Sequence, residues 1–78
     1  MRTKVRVPKL AETTDVIVVE QWLVDVGDQV SVGAPIVSVE TDKAVVEIVS
    51  PVDGILVEIL VPADEEAKTG DQLCVVEH

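Results

Sequence analysis

Short runs of alternating apolar and polar residues, broken by turn signals every several positions, make up almost the whole of this chain. A period of two predicts strands rather than helices. Eight runs stand out, at residues 4–7, 15–23, 29–32, 36–40, 44–49, 55–61, 66–69 and 73–77. They are separated at Pro8, Val26-Gly27-Asp28, Gly33-Ala34-Pro35, Thr41-Asp42-Lys43, Pro51-Val52-Asp53-Gly54, Pro62-Ala63-Asp64 and Gly70-Asp71. Residues 64–68 admit a single helical turn as the alternative to a strand. The predicted fold class is all-β.

The pattern also repeats. A shift of 37 positions lays Leu23 on Leu60, Val24 on Val61, Asp28 on Glu65, Gly33 on Gly70, Ile36 on Leu73, Val39 on Val76 and Glu40 on Glu77. Two half-domains with matching strand-turn-strand patterns predict two packed sheets related by a pseudo-twofold axis. The turn at Lys43 ends the first half, and the C-terminus ends the second. The turn and the chain termini are therefore expected at opposite ends of the molecule.

Composition sharpens the core. With 78 residues the chain is one domain, near the lower limit for a self-sufficient core. It is 47% hydrophobic but has no Phe, no Tyr and one Trp. The interior is thus expected to be Val, Ile and Leu, which suit strands. Trp22 reads as part of it.

Charge and residue chemistry exclude several functions. The formal net charge of −9 opposes nucleic acid, which needs clustered cations, and an anionic membrane surface. No stretch is long and apolar enough to span a bilayer, and residues 1–10 carry no signal-peptide core. Cys74, the single cysteine, forms no internal disulfide and reads as a small buried hydrophobe. A reducing compartment fits this usage. The one histidine, His78, is terminal, so no Ser-His or Cys-His pair and no His-Cys metal site can be assembled around an internal histidine. Gly27, Gly33, Gly54 and Gly70 are isolated and form no phosphate loop. An independent enzyme is not expected.

Lys43 remains. It lies in a three-residue polar break between two valine-rich runs, Val39-Glu40-Thr41-Asp42-Lys43-Ala44-Val45-Val46-Glu47. A break of that length predicts a tight hairpin turn with a primary amine at its tip. Such an amine is either an ordinary solvated lysine or an attachment point, and spacing alone does not choose between them.

Glu40-Thr41-Asp42-Lys43-Ala44 resembles the attachment motif of lipoyl domains, found in the acyltransferase (E2) components of 2-oxo acid dehydrogenase complexes. Val7-Pro8-Lys9-Leu10-Ala11-Glu12 resembles that family's opening strand and loop. The segment from Trp22 to Val30 resembles its stretch ending in Gly-Asp-x-Val, and Ser50-Pro51-Val52-Asp53-Gly54 its Ser-Pro-x-x-Gly turn. Two positions depart from the family pattern. Ala11 stands where Gly is common, and Asp64-Glu65-Glu66-Ala67 replaces a second Gly-Asp-x-Val turn, one that Asp, tolerant of left-handed backbone, can still make. The related biotinyl domains typically flank their lysine with methionines, whereas Asp42 and Ala44 flank this one.

The resemblance implies a flattened β-barrel or sandwich of two four-stranded antiparallel sheets. It implies lipoic acid in amide linkage to Lys43, on an arm reaching on the order of 14 Å. An ordinary exposed lysine is protonated at neutral pH and a poor nucleophile, so a lipoate ligase or lipoyl transferase must supply an activated lipoyl group. The implied role is a swinging arm between the dehydrogenase (E1), the acyltransferase (E2) core and dihydrolipoyl dehydrogenase (E3), with no catalysis by the domain itself and no metal. Glu40, Asp42 and Gly27 are implied in recognition by the modifying enzyme. Leu10, Ala11, Glu12, Thr13 and Thr14 are implied in recognition by the dehydrogenase. The expected context is a monomeric domain at the N-terminal side of a longer acyltransferase chain, in the cytoplasm or the mitochondrial matrix. A biotinyl carrier domain of a carboxylase is the alternative.

Overall fold

The valine-rich runs form eight strands: β1 (Arg2–Arg6), β2 (Val16–Trp22), β3 (Gln29–Val30), β4 (Pro35–Glu40), β5 (Val45–Val49), β6 (Gly54–Ile59), β7 (Glu66–Lys68) and β8 (Gln72–Glu77). The computed structural model describes residues 1–9 and 16–78. Among them all eight expected strands are present, and residues 66–68 are strand, not helix. The strands make two four-stranded antiparallel sheets, ordered β1-β8-β6-β3 and β5-β4-β2-β7. No strand pairing among the described residues joins one sheet to the other. The architecture is therefore a flattened sandwich, and the barrel form of the expectation is corrected: the sheets pack face to face without closing.

Three strand ends differ from the sequence pattern by two residues and the others by one at most, the larger shifts each for a local reason. The third run stops at Val30 because Ser31–Ala34 turns, with the Ala34 N–H donating to Ser31 O (3.0 Å) and the Val32 N–H to Asp53 Oδ1 (2.7 Å). The sixth stops at Ile59, since the Leu60 and Val61 amides both converge on Leu73 O (2.8 and 3.3 Å). The first begins at Arg2, where Arg2, Lys4 and Arg6 alternate with the inward Val5.

The pseudo-twofold holds at atomic level. Exchanging β1 with β5, β2 with β6, β3 with β7 and β4 with β8 converts one sheet order into the other. The turn bonds obey the same exchange. Leu23 N–H donates to Ile36 O as Leu60 N–H does to Leu73 O (2.9 and 2.8 Å). Val7 N–H donates to Asp71 O as Ser50 N–H does to Ala34 O (2.9 and 3.0 Å). The register shifts after Val19 and after Leu56 also correspond. The edge strands β1 and β5 face each other across a groove lined by the equivalent pairs Lys4 and Glu47, Val5 and Ile48, Arg6 and Val49, Pro8 and Pro51.

The core comes chiefly from the two inner strands β4 and β8, where Ile36, Val37, Val39, Leu73, Cys74 and Val76 are fully buried, with Val19 and Leu56 beside them. β4 and β8 bury four consecutive residues each, and β-branched side chains suit these packed strand positions because their stiff χ1 costs little on ordering. Cys74 is buried as expected, and desolvation pushes its thiol up to about 11. Trp22 is only half-buried. It packs against the core and donates Nε1–H to Val61 O at 2.9 Å, tying β2 to the segment after β6.

Candidate functional site

β4 ends at Glu40 and β5 begins at Val45, and the two strands pair there in register. The connection between them is built by one side chain. Thr41 N–H donates to Ala44 O (2.8 Å), and Thr41 Oγ1–H donates to the same carbonyl (3.0 Å). In return Oγ1 accepts from the amides of Ala44 (3.1 Å) and Lys43 (3.3 Å). The hydroxyl thus takes the place a main-chain carbonyl holds in an ordinary two-residue hairpin. Such hairpins favour positive φ at both central residues and hence Gly or Asn. Here neither Asp42 nor Lys43 has positive φ; among the described non-glycine residues only Asp64 does. The turn can therefore carry a lysine at its tip without strain.

Lys43 is exposed, and among the described residues its ammonium makes no ion pair. Asp42 and Glu40 are exposed beside it. Across sheet two, Val18 lies in register with Glu40 on one side and Glu66 on the other, so carboxylates border the lysine turn along the strand ends. Among the described residues no group of histidine, cysteine or carboxylate side chains is arranged to hold a metal.

The lysine turn and the termini lie at opposite ends. β5 leaves the turn at Val45, runs to Val49, and hands the chain to β6 at Gly54, where Ile55 pairs with Glu77. His78 is held there: its N–H donates to Met1 O (2.8 Å), its carbonyl accepts from the Met1 ammonium (2.7 Å), and its Nε2 lies 2.7 Å from Thr3 Oγ1.

Of the residues singled out by sequence, Glu40, Asp42 and Lys43 are together. Gly27 is not with them. Its N–H donates to Leu56 O (2.7 Å), and Leu56 pairs with Val76, one residue from Glu77, which puts Gly27 toward the termini. The turn equivalent to it at the lysine end is that of Asp64, whose N–H donates to Val19 O (2.7 Å), beside the Val19–Val39 pair. Leu10, Ala11, Glu12, Thr13 and Thr14 lie outside the described residues. In the sequence Thr41 stands out only as part of the polar break. A Thr three residues before the end of a polar turn is the signal that could have marked it.

A family model described as biotin-requiring enzyme (biotin/lipoyl) matches residues 3–76. The chain belongs to the biotin/lipoyl-attachment family. Among family relatives, the dihydrolipoyllysine-residue succinyltransferase component of the 2-oxoglutarate dehydrogenase complex of Staphylococcus saprophyticus is 41% identical over 73 residues, covering 94% of this chain and 17% of the relative. The dihydrolipoyllysine-residue acetyltransferase component of the pyruvate dehydrogenase complex of Corynebacterium glutamicum is 44% identical over 68 residues, covering 87% and 10%. The chain thus spans a small part of the length of both relatives. A solved structure similar to this family member is the lipoyl domain of the 2-oxoglutarate dehydrogenase complex of Azotobacter vinelandii, with a TM-score of 0.78, 27% identity, and 96% and 95% of the two chains covered.

Proposed function

We propose that this chain is a lipoyl carrier domain of a 2-oxo acid dehydrogenase complex, with lipoic acid amide-linked to Lys43. The observation that carries the reading is an exposed primary amine, unpaired among the described residues, at the tip of a strain-free turn at the end of the sandwich away from the chain termini. An attachment site needs these properties. The amine must enter an enzyme's active site without unfolding the sheets, and a tether at the far end must not obstruct it. The small neighbour Ala44 and the short Asp42 leave the amine accessible, so the residues present fit the group.

When attached, a lipoyl group supplies a dithiolane that accepts acyl groups and electrons. The chain's own residues do the rest. Lys43 provides the nitrogen of the amide and loses its charge in forming it. Glu40 and Asp42 keep the tip anionic and offer the ligase exposed carboxylates. The two sheets hold a rigid surface around a mobile arm, and tethering raises the arm's effective concentration at each partner active site. The dehydrogenase, the acyltransferase core and dihydrolipoyl dehydrogenase are the proposed partners, a lipoate ligase or lipoyl transferase the proposed modifying enzyme, and the isolated domain a monomer. The names of the relatives and of the solved lipoyl domain support lipoyl over biotin.

Parallel incubations with a lipoate ligase and with a biotin ligase, each with ATP and its acid, test the choice. The expected result is a lipoyl mass gain in wild type, none in Lys43→Arg, and no biotin incorporation. Biotin gain without lipoyl gain would establish the carboxylase alternative instead.

A further inference from the structure

We infer that Thr41 is a positioning residue for the acylation of Lys43, an assignment that rests on the lipoyl-carrier reading. Its hydroxyl makes three hydrogen bonds within the turn, to the Lys43 amide, the Ala44 amide and the Ala44 carbonyl, at 3.3, 3.1 and 3.0 Å. Through them it fixes the backbone that carries the lysine.

The pseudo-twofold shows which part of this network is particular to the lysine turn. The position equivalent to Thr41 is His78, and that equivalent to Ala44 is Met1. Thr41 N–H to Ala44 O (2.8 Å) is matched by His78 N–H to Met1 O (2.8 Å). The Ala44 amide, however, goes to Thr41 Oγ1, whereas the Met1 nitrogen goes to the His78 carbonyl (2.7 Å). At the terminal end the ladder closes through the Met1 ammonium and the His78 carbonyl, with His78 Nε2 against Thr3 Oγ1 beside them. The side-chain acceptor is thus particular to the lysine turn.

Its consequence is conformational. With Oγ1 as acceptor, the turn closes with negative φ at Asp42 and Lys43. Without it, the Lys43 and Ala44 amides lose their acceptor, and the loop samples other closures, the positive-φ hairpins being costly for Asp and Lys. The acylation itself is a simple exchange. The deprotonated Nζ adds to the carbonyl of a mixed carboxylic–phosphoric anhydride of lipoic acid. The N–C bond forms as the C–O bond breaks, the phosphate leaves with the electron pair, and the amine proton passes to solvent. Thr41 touches none of these atoms. It raises the fraction of turns in which the ligase finds the amine correctly presented, and a lower fraction raises apparent KM in proportion.

Kinetics of lipoylation, followed by intact mass with a lipoate ligase, test this on wild type, Thr41→Val and Thr41→Ser. Thr41→Val, which keeps shape and removes the hydroxyl, should raise KM on the order of tenfold with kcat within about twofold. Thr41→Ser should restore wild-type KM. Amide hydrogen exchange at Lys43 and Ala44 should quicken in Thr41→Val and not in Thr41→Ser, while strand amides keep their protection. Wild-type KM in Thr41→Val, a fall in kcat alone, or a Thr41→Ser variant as poor as Thr41→Val would overturn the assignment. Absence of mass gain in wild type would overturn the carrier reading, and this assignment with it. The wild-type reference tells the two failures apart.

Discussion

Asp64 holds in one half of the sandwich the turn that Gly27 holds in the other, with φ of 72° against 98° and an amide donating across to Val19 O as Gly27 does to Leu56 O, both at 2.7 Å. Left-handed backbone is open to Gly at no steric cost and to Asp at a moderate one. Asp64→Gly should therefore be stable, gaining up to about 1 kcal/mol, because relief of the φ penalty is partly offset by the entropy of the unfolded glycine. Asp64→Val should lose about 1–2 kcal/mol. Urea melts check both, and a valine variant as stable as wild type would contradict the conformational account.

Gly54 is a glycine for a different reason. A Cβ there would overlap the Glu77 carbonyl oxygen and approach Val76 Cγ1 at 2.9 Å. The overlapping atom belongs to the backbone of an inner strand and cannot swing aside. Gly54→Ala should cost on the order of 2–3 kcal/mol, measured as a drop in urea midpoint at unchanged m-value. By contrast, a Cβ at Gly33 would meet nothing within 4 Å, and its requirement comes from its φ of 83°.

These two glycines show what could and could not be read from the chain. Period-two patterning and the turn signals between runs located all eight strands, although the inner strands β4 and β8 each bury four consecutive residues and not one face. The 37-residue repeat gave the twofold, because Gly33 and Gly70 both supply left-handed turns. What the pattern could not give is long-range approach. The Gly54 contact is with residue 77, 23 positions away, whereas the Thr41 hydroxyl network spans only three residues and was within reach of the sequence. The placement of Gly27 toward the termini, away from Glu40, also follows from strand pairing across the sheets and not from its distance along the sequence.

Cys74 makes stability depend on alkaline pH. Burial raises its thiol from 9.0 to about 11, so the folded protein keeps the proton longer than the unfolded chain does. The contribution is complete below pH 9 and is lost as pH rises through 11. Between these limits wild type should lose about 2 kcal/mol more than Cys74→Ala, whose baseline covers every other group. Equal pH slopes for the two proteins would contradict the assignment. Thiol reagents should leave native Cys74 untouched at neutral pH and label it in urea.

Trp22 fastens β2 to the chain beyond β6 through Nε1–H to Val61 O. Trp22→Phe keeps most of the apolar contact and leaves that carbonyl without its donor. A loss of about 1–2 kcal/mol is expected from urea melts. A change under 0.5 kcal/mol, roughly the size of an ordinary surface effect, would show that water replaces the indole.

On the proposed function, Lys43 carries lipoate. Peptide mass spectrometry of this chain, isolated from the cells that make it, reads that residue directly. The expected result is a lipoyl amide on the Lys43 side chain and an unmodified Lys68, which ends β7 and is not at a hairpin tip. Biotin at Lys43, lipoate at another lysine, or a fully unmodified Lys43 in cells whose other lipoyl proteins are loaded would contradict it.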